Sequence, residues 1–124
     1  MKVLLSIKPE YAEKILNGEK KFEFRKSVFK DPKVRTVVIY ATMPVGKIIG
    51  EFDIKSVLSE CPDDLWHRTK DFAGITRKFF DQYFFGRSTA YAIEVKEVRK
   101  YRTPLDLISI LPHSTPPQSF CYLY

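Results

Sequence analysis

Between Lys20 and Leu58 three strand-like segments follow one another, and nothing between them reads as a helix. "KKFEFRK" (Lys20 to Lys26) puts Phe22 and Phe24 on one side of a period-two pattern, with Lys21, Glu23 and Arg25 on the other. "VRTVVIYA" (Val34 to Ala41) is β-branched and almost wholly apolar, as a central strand is. "KIIGEFDIKSVL" sets Ile48, Gly50, Phe52 and Ile54 against Ile49, Glu51, Asp53 and Lys55, which predicts a strand with one buried face. Strands joined without crossover helices pair antiparallel, so the expected class is α+β with a mostly antiparallel sheet.

The flanking segments extend this frame. "VLLSI" (Val3 to Ile7) reads as a buried strand. Pro9 suits a first helical turn, Tyr11 with Ile15 and Ala12 with Leu16 share one face, and Gly18 stops the helix after Asn17. "CPDDLWHRTKDF" predicts a second helix, opened by Pro62 and two acids. "GITRKFFDQYFFG" predicts a third, with Ile75, Phe79 and Tyr83 at i, i+4 spacing. "STAYAIEVKEVRKY" (Ser88 to Tyr101) is a long alternating strand. Thr103-Pro104 predicts a short helix at "PLDLIS", and the aromatic tail reads as a last strand. Five to six twisted strands with short helices in a chain of 124 residues predict a partly closed β-barrel, in one domain spanning 1–124.

The chain is 44% hydrophobic and 15% aromatic, enough for a real core. It has no apolar run of membrane-spanning length, and the opening "MKVLLSIKPE" lacks a signal peptide's apolar stretch. Cys61 and Cys121 are isolated, without metal-like spacing, and are expected as reduced, mostly buried thiols of a cytoplasmic protein. Net charge is +6, and its placement is informative. Residues 1–50 hold eleven Lys and Arg against five acids, whereas residues 51–124 hold ten of each. A clustered positive field favours polyanions, nucleic acid above all.

The motifs of metalloproteases, dithiol redox proteins and serine hydrolases (HExxH, CxxC, GxSxG) are absent, and "GKIIG" lacks the spacing of a phosphate loop. No metal or cofactor is expected. His67 and His113 lack an evident partner and read as surface residues. Trp66 reads as an aromatic that packs its own helix. The charged row at Lys20–Arg25 has two readings. As a solvated strand face, its ion pairs are worth only ~0–1 kcal/mol each. As a site, Arg25 offers a rigid donor fork for phosphate, and Glu23 an ionised acceptor for an amino or hydroxyl group. A desolvated lysine beside them is a donor or a nucleophile.

"SIKPEYAEKILNGEKKFEFRK" resembles the signature of the ASCH domain, a PUA-like family, whose G-x-K-x-x-E-x-R motif appears here as Gly18, Lys20, Glu23 and Arg25. "VVIYATMPVGKIIGEFDI", "YFFGRSTAYAIEV" and the "PLDLISI…PPQSFCYL" region extend the resemblance over essentially the whole chain. It implies a small β-barrel whose cleft holds the motif residues, and RNA or nucleotide binding in translation- or transcription-linked settings. On that reading Lys8, Lys20, Lys21, Glu23 and Arg25 contact the ligand and Tyr40 stacks on it. No membrane partner is implied, and protein partners stay open.

Relatives that hydrolyse N4-acetylcytidine resemble the chain at the same motif, with Lys and Arg where Lys20 and Arg25 stand. They carry Thr where this chain has Glu23, and use a further Glu whose nearest counterpart here is Asp71. The implied enzymatic alternative is therefore an amidohydrolase or a ribonuclease built on Lys20, Glu23 and Asp71. Glu23 argues against the amide chemistry, because its charge is expected to pair with Lys20 and keep it protonated. A third alternative is a protein-interaction or regulatory domain in which the motif only stabilises the barrel. Strand alternation selects Lys21 for the cleft and the motif selects Lys20; the expectation follows Lys20, which lies at the turn before the strand.

Overall fold

The alternating and apolar segments form strands, and the capped segments form helices. The structure, a computed structural model, describes residues 1–112 and 115–124. In chain order the elements are β1 (Lys2–Ile7), α1 (Pro9–Leu16), β2 (Phe22–Arg25), β3 (Thr36–Ala41), β4 (Lys47–Glu60), α2 (Pro62–Thr69), α3 (Arg77–Tyr83), β5 (Ala90–Leu105) and β6 (Phe120–Leu123). Single 3-10 turns occupy Lys70–Phe72 and Leu107–Ser109. No helix among the described residues is long and apolar enough to cross a membrane.

The strands make one six-stranded sheet in the order β2-β5-β4-β3-β1-β6. All neighbouring strands are antiparallel except β1 and β3, which run parallel. The long path through α1 and β2 provides the crossover that a parallel pair needs. This is the expected α+β, mostly antiparallel class, with short helices beside the sheet. The sheet does not close into a barrel, because β2 and β6 remain its edges. Side chains bring the two ends together instead. Arg25 Nη2 of β2 donates to the Ser6 carbonyl of β1 at 2.8 Å. Beyond β2, the Phe29 ring meets Phe120 edge-on at 6.0 Å, and the Lys30 amide donates to the Tyr122 hydroxyl at 3.3 Å.

Helix α1 lays Ala12, Ile15 and Leu16 on Val3, Leu5, Val37, Ile39 and Phe52 to form the main core. Its approach is close at Gly50, where a Cβ would meet the Arg99 carbonyl at 2.7 Å and Leu16 at 2.9 Å. Helices α2 and α3 build a second cluster on Phe22 and Phe24, using Leu65, Phe80 and Phe84. A third gathers Leu4, Val38, Tyr40 and Ile48 under Leu107 and Leu111.

Three expectations are corrected. No α-helix forms at "PLDLIS": β5 continues through Leu105, and only the 3-10 turn follows. Ile48 pairs with Leu105 while Gly50 pairs with Lys100, so Pro104 sits in a skipped register where its missing N–H breaks no ladder bond. Cys61 is exposed and Cys121 half-buried, rather than mostly buried; both are free thiols. In α3 Phe80 is fully buried, whereas Phe79 and Tyr83 are only partly so. Finally, β4 does not keep one wet face: every residue from Ile48 to Phe52 is buried, Glu51 included.

Glu51 is tolerated there because donors surround it. Tyr101 Oη donates at 2.7 Å, Arg99 Nη2 at 2.6 Å and Lys2 Nζ at 3.2 Å. Burial by itself pushes its carboxyl up, but these hydrogen bonds hold it below the ordinary range. Arg99 also reaches Asp53 at 2.6 Å, which ties β4 to β5 twice. Replacing Glu51 by Ala leaves the Tyr101 phenol and the Lys2 ammonium unmatched, while Arg99 keeps Asp53. The expected loss is about 2 kcal/mol, scaled down from a fully buried pair because Lys2 and Arg99 are half-exposed. Urea unfolding of Glu51→Ala measures it, and a loss under about 0.5 kcal/mol would show that the network is idle.

Candidate functional site

The site begins where α1 ends. Gly18 takes a left-handed turn (φ 89°), which lets the chain reverse into β2 within three residues. The amide of Lys20 caps α1 on the Lys14 carbonyl at 3.0 Å, and the amide of Lys21 donates to the Phe72 carbonyl at 2.9 Å. Lys20 is thus held before the strand alternation starts at Phe22, and its side chain turns inward. Lys21 turns to the other side, with its ammonium 4.2 Å from the centre of the Phe72 ring.

Lys20 is 2% exposed, a rare burial for a lysine. Its ammonium donates to the Ala73 carbonyl at 2.6 Å and lies over the rings of Phe24 (4.7 Å) and Tyr11 (5.5 Å). The stem passes under Gly74, where a Cβ would strike Lys20 Cγ at 2.6 Å; Gly74 also needs its positive φ of 69°. Burial pulls the Lys20 amine down to about 8, against the raising influence of Glu23. Glu23, expected to hold this amine protonated, does raise it, but desolvation outweighs the neighbouring charge.

Glu23 is also buried, and its ion-pair partner is Arg25 rather than Lys20. Arg25 Nε lies 3.0 Å from Glu23 Oε2 but without hydrogen-bond alignment. Among the described residues no hydrogen bond is donated to the Glu23 carboxylate, so its acceptor capacity faces the cleft. That cleft has a volume of about 200 Å³. Lys20, Glu23 and Arg25 form its polar floor, with Lys8 at the rim. Tyr11, Phe24, Ile75, Phe79 and Tyr83 form its walls. Phe79 meets Tyr11 edge-on at 5.9 Å and stacks against Tyr83 at 6.5 Å. Burial raises the phenols of Tyr11 and Tyr83, so both stay protonated at neutral pH.

The structure thus brings together Lys8, Lys20, Glu23 and Arg25 and leaves out three other candidates. Lys21 faces away. Tyr40 is buried with Leu4 and Ile48 in the third cluster. Asp71 is exposed in the 3-10 turn and does not line the cleft, so no second carboxylate stands there. His67 is exposed, 3.8 Å from Asp63, and His113 lies outside the described residues. Trp66 packs on Phe80 at 5.1 Å. Among the described residues no group of three His, Cys, Asp or Glu is arranged to hold a metal. The aromatic wall was missed as a site; its trace in the sequence is the Ile75–Phe79–Tyr83 stripe, whose spacing is equally that of a core face.

The ASCH domain family model matches residues 5–104. The chain is 33% identical over 122 residues to the large ribosomal subunit protein uL22 of Ureaplasma parvum serovar 3, a match covering 98% of this chain. It spans only 39% of that relative's length. It is 29% identical over 123 residues to an ASCH domain-containing ribonuclease of Zymomonas mobilis subsp. mobilis, covering 97% of this chain and 82% of that protein. The crystal structure of ASCH from Zymomonas mobilis superposes with a TM-score of 0.91 at 28% identity, over 99% of this chain and 87% of that one. The N-terminal domain of Staphylothermus marinus McrB shares the fold at a TM-score of 0.51 and 18% identity, over 88% and 78%.

The depressed amine makes a signed prediction. Below about pH 8 Lys20 is charged both folded and unfolded, so its burial cost is fully present. As pH rises from about 8 to the ordinary lysine value of 10.5, the folded chain loses this proton first and the cost disappears. Lys20→Met is therefore expected to stabilise the fold at pH 7 by up to about 3 kcal/mol, with the gain shrinking towards pH 10.5. Denaturant unfolding of both proteins across that range checks it. A gain that does not shrink would mean that the charge is not the source of the cost.

Proposed function

The chain belongs to the ASCH domain family, and from that premise we propose that it binds RNA, taking one unstacked base with its ribose into the cleft lined by Lys20, Glu23 and Arg25. The observation that carries this reading is a buried, charged floor beneath aromatic walls. A cavity of about 200 Å³ is smaller than the roughly 300 Å³ at the lower end of drug-sized sites, and suits one nucleoside rather than a folded ligand. Phe79 and Tyr83 offer π-faces on which any base can stack, worth roughly 1–3 kcal/mol. Glu23 accepts from an amino group or ribose hydroxyl, and Lys20 donates to a carbonyl or ring nitrogen. Lys8 and the free N–H groups of Arg25 meet phosphate at the mouth.

Cleavage of RNA is the second reading, favoured by the ribonuclease of Zymomonas mobilis named above. In this chain Glu23 would take the 2′-hydroxyl proton as that oxygen attacks phosphorus. Lys20, with its amine near 8, would give a proton to the departing 5′-oxygen. Amide hydrolysis has less support, because Asp71 stands outside the cleft.

Titration of a labelled single-stranded RNA with the wild type, Phe79→Ala and Glu23→Gln tests the binding reading. Phe79→Ala is expected to weaken binding roughly 5- to 150-fold. Unchanged affinity in both variants would remove the base from the cleft. Cleavage is read from the same RNA on a gel: strand scission that persists in Lys20→Ala would exclude Lys20 from the chemistry.

A further inference from the structure

A second, larger concavity of about 880 Å³ lies on the other side of Lys20. Lys21, Arg35, Lys55 and Lys96 rim it, and Phe22, Ile54 and Val95 line it with apolar surface. We propose that this groove carries the phosphate backbone of the RNA strand whose base enters the cleft; the inference rests on the binding reading given above.

Three observations support it. The first is uncompensated charge. The groove holds one acid, Glu94, which already accepts from Ser56 Oγ at 2.8 Å and faces Lys55 at 3.8 Å. Arg35 and Lys96 are exposed and form no close ion pair among the described residues, Lys96 acting only at longer range on Asp53, and Lys21 leans only on the Phe72 ring. Such cations gain little from folding and much from a polyanion, through release of its counterions. The second is shape: an apolar lining beneath a cationic rim suits sugars and bases below and phosphates above, while a small anion needs only one pocket of donors. The third is continuity. Lys20 borders both concavities. On α1, Tyr11 faces the cleft and Ile15, one turn on, faces the groove. One helical turn is about 5.4 Å, so the two concavities adjoin along α1.

The concentration of positive charge in residues 1–50 acquires a location by the same argument. Lys20, Lys21 and Arg35 come from that half, and Lys55 and Lys96 join them only because β4 and β5 pair beside β2.

The test compares four proteins on one short single-stranded RNA over a salt series: wild type, Arg35→Ala/Lys96→Ala in the groove, Phe79→Ala in the cleft, and Lys30→Ala/Lys33→Ala as exposed cations outside both. The groove variant is expected to bind about tenfold or more weakly at low salt. Its slope of log affinity against log salt should be shallower by about 1.4, for two lost phosphate contacts. The Lys30/Lys33 variant should keep the wild-type slope, and Phe79→Ala should keep the slope while losing affinity. An unchanged slope in the groove variant overturns the proposal and leaves the cleft reading standing. An equal loss in the Lys30/Lys33 variant overturns it in favour of diffuse charge. A loss confined to the groove variant, with Phe79→Ala at wild-type affinity, removes the cleft reading and overturns the proposed link between groove and cleft, leaving the groove as an independent RNA contact. If the wild type binds polyglutamate but no RNA, both readings fall and the groove is an acidic-protein site.

Discussion

The burial of one ammonium group organises this molecule's site. Lys20 is pinned by its own amide to the end of α1, by its stem beneath Gly74, and by its Nζ to the Ala73 carbonyl. One contact belongs to α1 and two to the segment before α3, so placing this side chain also places that segment against β2. The aromatic rings of Phe24 and Tyr11 soften the desolvation without cancelling it, which is why the amine is displaced to about 8. A fold selected only for stability would carry an apolar residue there. Retained local cost of this kind is the usual mark of a working site.

Glu51 gives the contrasting case within the same small domain. It is buried to a similar degree, yet three donors converge on it and tie β1, β4 and β5 together. That network is complete, offers no spare valence and borders neither concavity. Lys20 and Glu23, by comparison, keep donor and acceptor capacity directed at open space. Burial alone does not distinguish the two cases; the partners that each buried group finds do.

The ASCH motif is best understood as a junction rather than a single-faced row. Consecutive lysines leave the α1–β2 turn in opposite directions, one into the aromatic cleft and one onto the basic groove. Glu23 and Arg25 follow the phase of Lys20's side, and Arg25 spends one N–H on Ser6, bridging the two ends of a sheet that its backbone ladders leave open. Site and scaffold therefore share a residue. Changes at Arg25 are expected to alter both ligand contact and the approach of β2 to β1.

Much of this was legible along the chain because it depends on near neighbours. The stop at Gly18, the helix of Pro9–Leu16, the alternation of β2 and β5 and the motif spacing are local properties, set by backbone sterics and side-chain period. What lay beyond reach depends on partners distant in sequence. Alternation in "KIIGEFDIKSVL" foretold one wet face, but Ile49 and Phe52 pack in the cluster of α1, Ile48 packs in that of Leu107 and Leu111, and Glu51 survives inside only because Lys2, Arg99 and Tyr101 arrive from other strands. The i, i+4 stripe of Ile75, Phe79 and Tyr83 announced an apolar face without saying whether it would fill a core or wall a cleft. Tyr40 looked able to stack on a ligand until the sheet order enclosed it. The sequence by itself determined which residues could bear the chemistry and which segments would be strands. Only the tertiary structure decided which lysine is desolvated and which charges converge, because burial and electrostatic coupling are set by strand pairings and packing between segments far apart in the chain.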